Sequence, residues 1–183
     1  MTVVPLVTSA YDTPFGQLNV LATPDDGVVR AAGFGPLRTV TSQLHTRLGA
    51  RGWESGDLPD VGRAVQAWLG GDSSELTRVP VQQPGGPFFQ QVWALLRTVP
   101  SGQVVSYQEL AEMAGRPRAM RAVGTACARN TVGIFVPCHR VIRSGGWLGS
   151  YGFGGTDIKA AMLIHEGVHV AHPGADARVT VTT

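Results

Sequence analysis

The sequence predicts an α+β fold in two domains. A small N-terminal domain with an antiparallel sheet and a helix precedes a mostly helical C-terminal domain that carries a helix-turn-helix and a Cys-His pair. Three observations predict it. Apolar residues alternate at strand period between residues 18 and 34. From residue 61 they recur at helical spacing. A breaker cluster, Gln82-Gln83-Pro84-Gly85-Gly86-Pro87, divides the chain. The expected domains are therefore 1–82 and 88–170, with a linker at 83–87 and a patternless, mobile tail at 171–183.

In the first domain, Thr13-Pro14-Phe15-Gly16 reads as a turn, after which Leu18, Val20 and Ala22 alternate with Asn19 and Leu21. Val28, Val29, Ala31, Ala32 and Phe34 follow a second turn at Asp25-Asp26-Gly27. Val61, Ala64, Val65, Trp68 and Leu69 fall on one helical face, with Asp60 placed to cap its start and Gly70-Gly71 to end it. Nothing here carries obvious chemistry, so this half reads as scaffold.

The second domain opens with Phe88, Phe89, Val92, Leu95 and Leu96 at helical spacing, stopped by Val99-Pro100-Ser101-Gly102. Ser106-Tyr107-Gln108-Glu109 is a capping box for a helix through Leu110, Ala111 and Met113. Gly115 supplies a left-handed turn, and Pro117 opens a second helix expected from about Arg118 to Ala128. This is the helix-turn-helix pattern. Small residues on its second helix (Ala119, Ala122, Gly124, Thr125, Ala126, Ala128) allow close approach to another surface, and Arg118, Arg121 and Arg129 suit phosphates. Ile134, Phe135 and Val136 predict a buried strand that delivers Pro137-Cys138-His139-Arg140. After a Gly-rich loop over 149–155, Asp157 is placed to cap a last helix that ends at Glu166-Gly167.

Of the 183 residues, 43% are hydrophobic and 15% charged, which excludes wholesale disorder. No apolar run approaches the ~18 residues of a membrane helix, and the first residues lack a secretory pattern. Two cysteines are too few for a disulfide framework, and a reducing cytoplasm is expected. The net charge of +2 hides an asymmetry. Residues 1–87 hold six arginines against eight acids, whereas residues 88–183 hold eight arginines and Lys159 against five. A basic half suits a polyanion, although an excess of this size is also ordinary.

Cys138 beside His139 is the chemical centre of the sequence. The thiolate is the nucleophile, and a thiol of pKa ~8.5 is mostly protonated at neutral pH. A nearby imidazole can take its proton, directly or through water. Glu166 is a candidate to orient that imidazole. Arg140 reads as a structural ion-pair partner and Cys127 as a small packing residue.

The stretch Asn130-Thr-Val-Gly-Ile-Phe-Val-Pro-Cys-His-Arg-Val-Ile142 closely resembles the active-site signature of the O6-alkylguanine-DNA alkyltransferases. The resemblance extends back through Arg121-Ala-Val-Gly124, Ser106-Tyr107 and Phe89-Gln-Gln-Val-Trp93. It extends forward through Tyr151, Lys159 and His165-Glu-Gly167, and so covers about residues 88–168. The first half matches only by length and by the turn Thr13-Pro14-Phe15-Gly16-Gln17-Leu18.

The resemblance implies direct repair, in which Cys138 irreversibly takes a methyl or other alkyl group from the O6 oxygen of guanine in DNA. It implies that His139 deprotonates Cys138 through water, that Glu166 holds His139, and that Tyr107 protonates the departing guanine. The nucleotide is expected to flip out of the duplex, with Arg121 filling its place. Arg118, Ala119, Met120, Ala122 and Gly124 are the expected DNA-binding residues of the second helix. Asn130 resembles the family's hinge residue. Val141, Ser150, Tyr151 and Gly152 are expected to line the alkyl and base pocket. The expected partner is double-stranded DNA containing O6-alkylguanine, bound by a monomer with no membrane involved.

No cofactor is expected for this reaction. Some relatives carry a zinc in the first domain, but residues 1–87 hold no Cys and only His45, so no metal site is expected. Two departures bear on specificity. Met120 stands where a small residue is expected, and the loop Gly152-Phe153-Gly154-Gly155 is one residue longer before Lys159. Three other readings remain open at this point: a damage binder without repair, a Cys-His hydrolase, and a transcriptional regulator.

Overall fold

The first third of the chain forms a four-stranded sheet. The computed structural model describes residues 4–171 and 177–180. The chain forms two compact units: Met1–Pro84 with Thr131–Phe135, and Gly85–Asn130 with Val136–Thr183. The second unit is thus discontinuous, with the chain leaving it at Asn130 and returning at Val136.

In the first unit, β1 (Leu6–Thr13) and β2 (Gly16–Ala22) form a hairpin that Thr13 and Gly16 close, with Gly16 at φ 110°. Next come β3 (Val29–Phe34), α1 (Leu37–Thr41), α2 (Thr46–Gly49) and β4 (Trp53–Ser55). The sheet order is β3-β2-β1-β4, antiparallel except for the β1–β4 pair, which the alternation did not reveal. Both faces of β2 are buried from Leu18 to Ala22. Leu6, Leu21, Ala31 and Val40 pack on one another, and Asn19 satisfies its buried amide by donating to Gly35 O at 2.7 Å.

The helix α3 (Pro59–Leu69) buries Val61, Ala64, Val65 and Trp68, the face its spacing predicts. Phe15 packs against Trp68 at 5.3 Å between ring centres. Leu58, not Asp60, is the N-cap. Pro59 takes the first helical position, which moves Asp60 into the first turn, where it pairs with Arg63. The short α4 (Ser74–Arg78) follows.

The second unit begins with α5 (Pro87–Leu96). Trp93 donates from its indole to Ala126 O at 2.9 Å. Gly85 lies so close to this ring that an added Cβ would stand 2.6 Å from it. β5 (Val105–Ser106) leads into α6 (Tyr107–Met113), and Ser106 and Glu109 make both bonds of the capping box. The next helix, α7 (Met120–Ala128), packs on α5 and α6.

It starts at Met120 rather than Arg118. Residues Arg116–Ala119 form a hydrogen-bonded turn, with Pro117 at the second position where its fixed φ is favoured.

The expected strand over Ile134–Val136 is a buried turn instead. Ile134 has φ 62°, a strained conformation for a β-branched residue and incompatible with a strand. Cys138–Arg140 form one 3-10 turn, followed by β6 (Val141–Ile142), which pairs in parallel with β5. The last helix, α8 (Gly155–His165), is preceded by Gly154 as N-cap, with φ 124°. Asp157 lies inside the first turn and is not the cap. Gly167 follows with φ 85°, the left-handed exit that the sequence predicts.

β7 (Val170–Ala171) pairs with β8 (Arg178–Val179), and Ala177 is buried. Within the expected tail, residues 172–176 and 181–183 lie outside the described residues. The described part is held by Leu148 N–H donating to Ala177 O and by the Arg178 guanidinium 3.4 Å from the Trp147 ring centre. No helix among the described residues is long and apolar enough to cross a membrane.

Candidate active site

The 3-10 turn places Cys138, His139 and Arg140 side by side, all buried. This curvature matters, because on a strand neighbouring side chains point to opposite faces. Asn130, just beyond α7, holds the turn. Its amide nitrogen donates to Val136 O at 2.8 Å and to Cys138 Sγ at 3.2 Å. Burial pushes the Cys138 thiol above its ordinary pKa, while the Asn130 bond and the Lys159 charge act in the opposite direction. The resting sulfur is therefore a thiol that needs a base.

His139 Nε2 lies 3.0 Å from Glu166 Oε1. Arg140 grips the same carboxylate with a fork: Nε to Oε2 and Nη2 to Oε1, both at 2.8 Å. Its Nη1 donates to Val99 O at 2.6 Å. Burial alone would raise the Glu166 pKa, but the bonds from Arg140 and His139 outweigh it and hold the carboxyl well below the usual range. Burial pushes His139 down despite Glu166, so the imidazole is neutral at neutral pH. An anionic Glu166 requires the proton on Nε2. Nδ1 is then a bare lone pair, and it is buried without a hydrogen-bond partner among the described residues. The group is thus a base held in one tautomer by a carboxylate.

Lys159 is also buried, and its ammonium donates to Val141 O and Leu148 O. Burial lowers its pKa to about 8. The two carbonyls flank the loop between β6 and the Gly-rich segment, so this one cation ties both ends of that loop.

Of these groups, Cys138 opens on a cavity of about 210 Å3. It brings together the expected residues Tyr107, Gly124, Cys138, Ser150, Tyr151 and Gly152, together with Cys127 and Ala128 of α7. Burial raises Tyr107 to about 12, so its phenol keeps its proton and is a donor. Tyr151 is raised too, by burial above all, and its hydroxyl has no partner among the described residues. Val141 does not line this cavity; it sits buried in β6 with its carbonyl on Lys159.

Met120 and Arg121 are exposed on the first turn of α7, and Arg118 is exposed in the turn before it. Ala119 and Ala122 are half-buried. A wider cleft of about 590 Å3 shares Tyr107 and reaches Met120 and Arg143. Cys127, expected only as a packing residue, lines this cavity, and its spacing from Gly124 and Ala128 puts all three on one helical face. The sequence reading gave Lys159 no task, since a lone Lys in a helix pattern carries no sign of burial.

The chain is similar to known proteins in sequence and in fold. The family described as 6-O-methylguanine DNA methyltransferase, DNA binding domain, matches residues 87–168. A methylated-DNA–protein-cysteine methyltransferase of Rattus norvegicus is 48% identical over 96 residues, 52% of this chain and 46% of the relative. The match thus spans about half the length of that relative. The constitutive methylated-DNA–protein-cysteine methyltransferase of Bacillus subtilis is 35% identical over 152 residues, 83% of this chain and 90% of the relative. Among solved structures, Mycobacterium tuberculosis OGT in complex with DNA superposes with a TM-score of 0.70 at 33% identity, covering 88% of this chain and 93% of that one.

Proposed function

The chain belongs to the methylated-DNA–protein-cysteine methyltransferase family, and from that premise we propose that it repairs O6-alkylguanine in DNA by moving the alkyl group to its own Cys138. The observation that carries this reading is a buried thiol, held by Asn130 and facing a base-sized cavity, beside a histidine fixed as a base by Glu166. His139 takes the thiol proton through a water at Nδ1. The sulfur displaces guanine from the alkyl carbon, and Tyr107 donates a proton so that guanine leaves neutral. A thioether does not readily hydrolyse, so each molecule acts once.

The lesion must leave the duplex to reach a buried sulfur. The α6–α7 pair acts as a helix-turn-helix in the minor groove, with Ala119, Met120, Ala122 and Gly124 against the DNA and Arg118 on phosphate. Arg121 fills the space of the flipped nucleotide. Ser150, Tyr151 and Gly152 wall the pocket, Val141 supports it from β6, and Asn130 is the hinge between α7 and the reactive turn. Phosphate contacts make binding weaken steeply with salt. The protein acts as a monomer in the cytoplasm.

The test is intact mass after mixing with a duplex bearing O6-methylguanine, followed by peptide mapping. We expect a one-to-one gain of one methylene mass on the Cys138 peptide together with repaired DNA. Cys138→Ser should abolish the gain while lesion binding persists. Folded wild-type protein that binds the lesion tightly yet gains no mass would sink the proposal.

A further inference from the structure

A second thiol faces the acceptor cavity. Gly124, Cys127 and Ala128 stand at i, i+3 and i+4 on α7, and this one face lines the same small space as Cys138. Asn130 joins the two thiols' surroundings: its backbone N–H donates to Cys127 O at 3.3 Å while its side chain donates to Cys138 Sγ at 3.2 Å. The cavity wall also holds Tyr151, 7% exposed, whose hydroxyl has no partner among the described residues. Methyl transfer uses only one of the two sulfurs.

We propose that Cys127 is a second acceptor for lesions whose alkyl chain carries its own leaving group, O6-(2-haloethyl)guanine being the simplest, and that it closes a thioether bridge to Cys138. This rests on the alkyl transfer proposed above. In the first step the bond from Cys138 sulfur to the near carbon forms and the carbon–O6 bond breaks. Its electron pair goes to guanine, which is protonated, and the thiol proton passes to His139. Cys138 then carries a 2-haloethyl thioether inside the cavity. In the second step Cys127 sulfur attacks the far carbon, the carbon–halogen bond breaks, halide leaves with the electron pair, and the thiol proton goes to water. The product is an ethylene group joining the two sulfurs, and the balance needs no further reagent.

Burial pushes the Cys127 thiol up, which makes it a poor nucleophile toward reagents in solution. Confinement changes that comparison. A group held in line with its target reaches effective molarities on the order of 10⁵–10⁸ M, which outcompetes water for the far carbon. Desolvation of the cavity also slows the competing hydrolysis.

The experiment exposes the full chain separately to duplexes bearing O6-methylguanine and O6-(2-chloroethyl)guanine. Intact mass and peptide mapping under reducing conditions follow. The methyl duplex should give one methyl on Cys138. The chloroethyl duplex should give mostly protein heavier by one ethylene less two hydrogens, with the Cys127 and Cys138 peptides joined by a link that thiol reductants do not cleave. Cys127→Ala and Cys127→Ser should lose the link and leave an open-chain 2-hydroxyethyl group on Cys138. Methyl transfer together with only hydroxyethyl Cys138 and a free Cys127 thiol in the wild type overturns the second acceptor and leaves repair standing. No adduct from either duplex overturns both.

Discussion

Two regions, the α3–α4 segment of the first unit and the turn around Cys138 in the second, treat charge in opposite ways. In the first, the ion pairs of α3 and α4 are local and wet: Arg63 is 65% exposed and Asp60 82%, and Arg78 with Glu75 has the same i,i+3 spacing. In the second, Arg140 and Glu166 are 4% and 1% exposed and lie far apart in sequence. Exposed pairs contribute little, because solvent screens them and long side chains lose entropy in pairing. Buried pairs are unforgiving, because a partner left alone is a charge without water. Charge on α3 and α4 is therefore solvated surface, and charge around the Cys138 turn fixes geometry. The difference teaches where substitutions should be felt.

The contrast is sharpest at Arg140. Arg140→Ala leaves buried Glu166 without its cation, though still bonded to His139, and takes the donor from Val99 O, so we expect a loss of about 3–5 kcal/mol, the range for breaking a buried pair. Urea unfolding measures it. A loss below about 1 kcal/mol would mean that water reaches Glu166 and that the two regions differ less than their burial implies.

Glu166→Gln is the next largest. It removes the carboxylate charge that favours the His139 proton on Nε2 and leaves only a neutral amide there, so alkyl transfer should slow by ~10²–10⁴-fold, the usual contribution of a positioned base. Single-turnover rates on O6-methylguanine duplex measure this. It also tests the acid limb of stability. Both Glu166 and His139 have folded pKa values pushed down, so at low pH the unfolded chain binds more protons and stability falls as pH falls. The histidine part is lost as pH falls below about 6.5 and the carboxylate part as it falls below about 4.3, their unfolded values. In Glu166→Gln the lower limb should flatten while the upper one deepens, because His139 loses the partner that raised its pKa. An unchanged lower limb would place the acid sensitivity elsewhere.

The sequence carried the periodic and punctuated parts of the fold and little of what depends on tertiary partners. The face of α3, the capping box at Ser106 and the glycine exits at Gly71 and Gly167 were legible, because each depends on residues within a turn or two. The parallel β1–β4 pair was not, since three exposed residues, Trp53–Ser55, show no alternation. Ile134-Phe135-Val136 misled because a buried turn and a buried strand are equally apolar. At the site, Cys138 with His139 was readable as a pair. The Arg140 fork on Glu166 and the Lys159 bonds to two carbonyls were not, because residues 11 to 26 apart have no sequence signature of meeting.

Arg63→Ala is the smallest expected effect and the control for the whole comparison. Arg63 and Asp60 sit on the outer face of the first turn of α3, both largely in water. Asp60 keeps its favourable place near the helix N-terminus whether or not Arg63 is there. The pair itself should contribute only ~0.2–1 kcal/mol at low salt, and less at high salt as screening grows. The alkyl-transfer rate should not change. Urea unfolding at two salt concentrations would show it: a small loss that shrinks with salt keeps the charge of α3 and α4 as solvated surface. A salt-independent loss approaching that of Arg140→Ala would mean that local exposure fails to predict which charges this fold depends on.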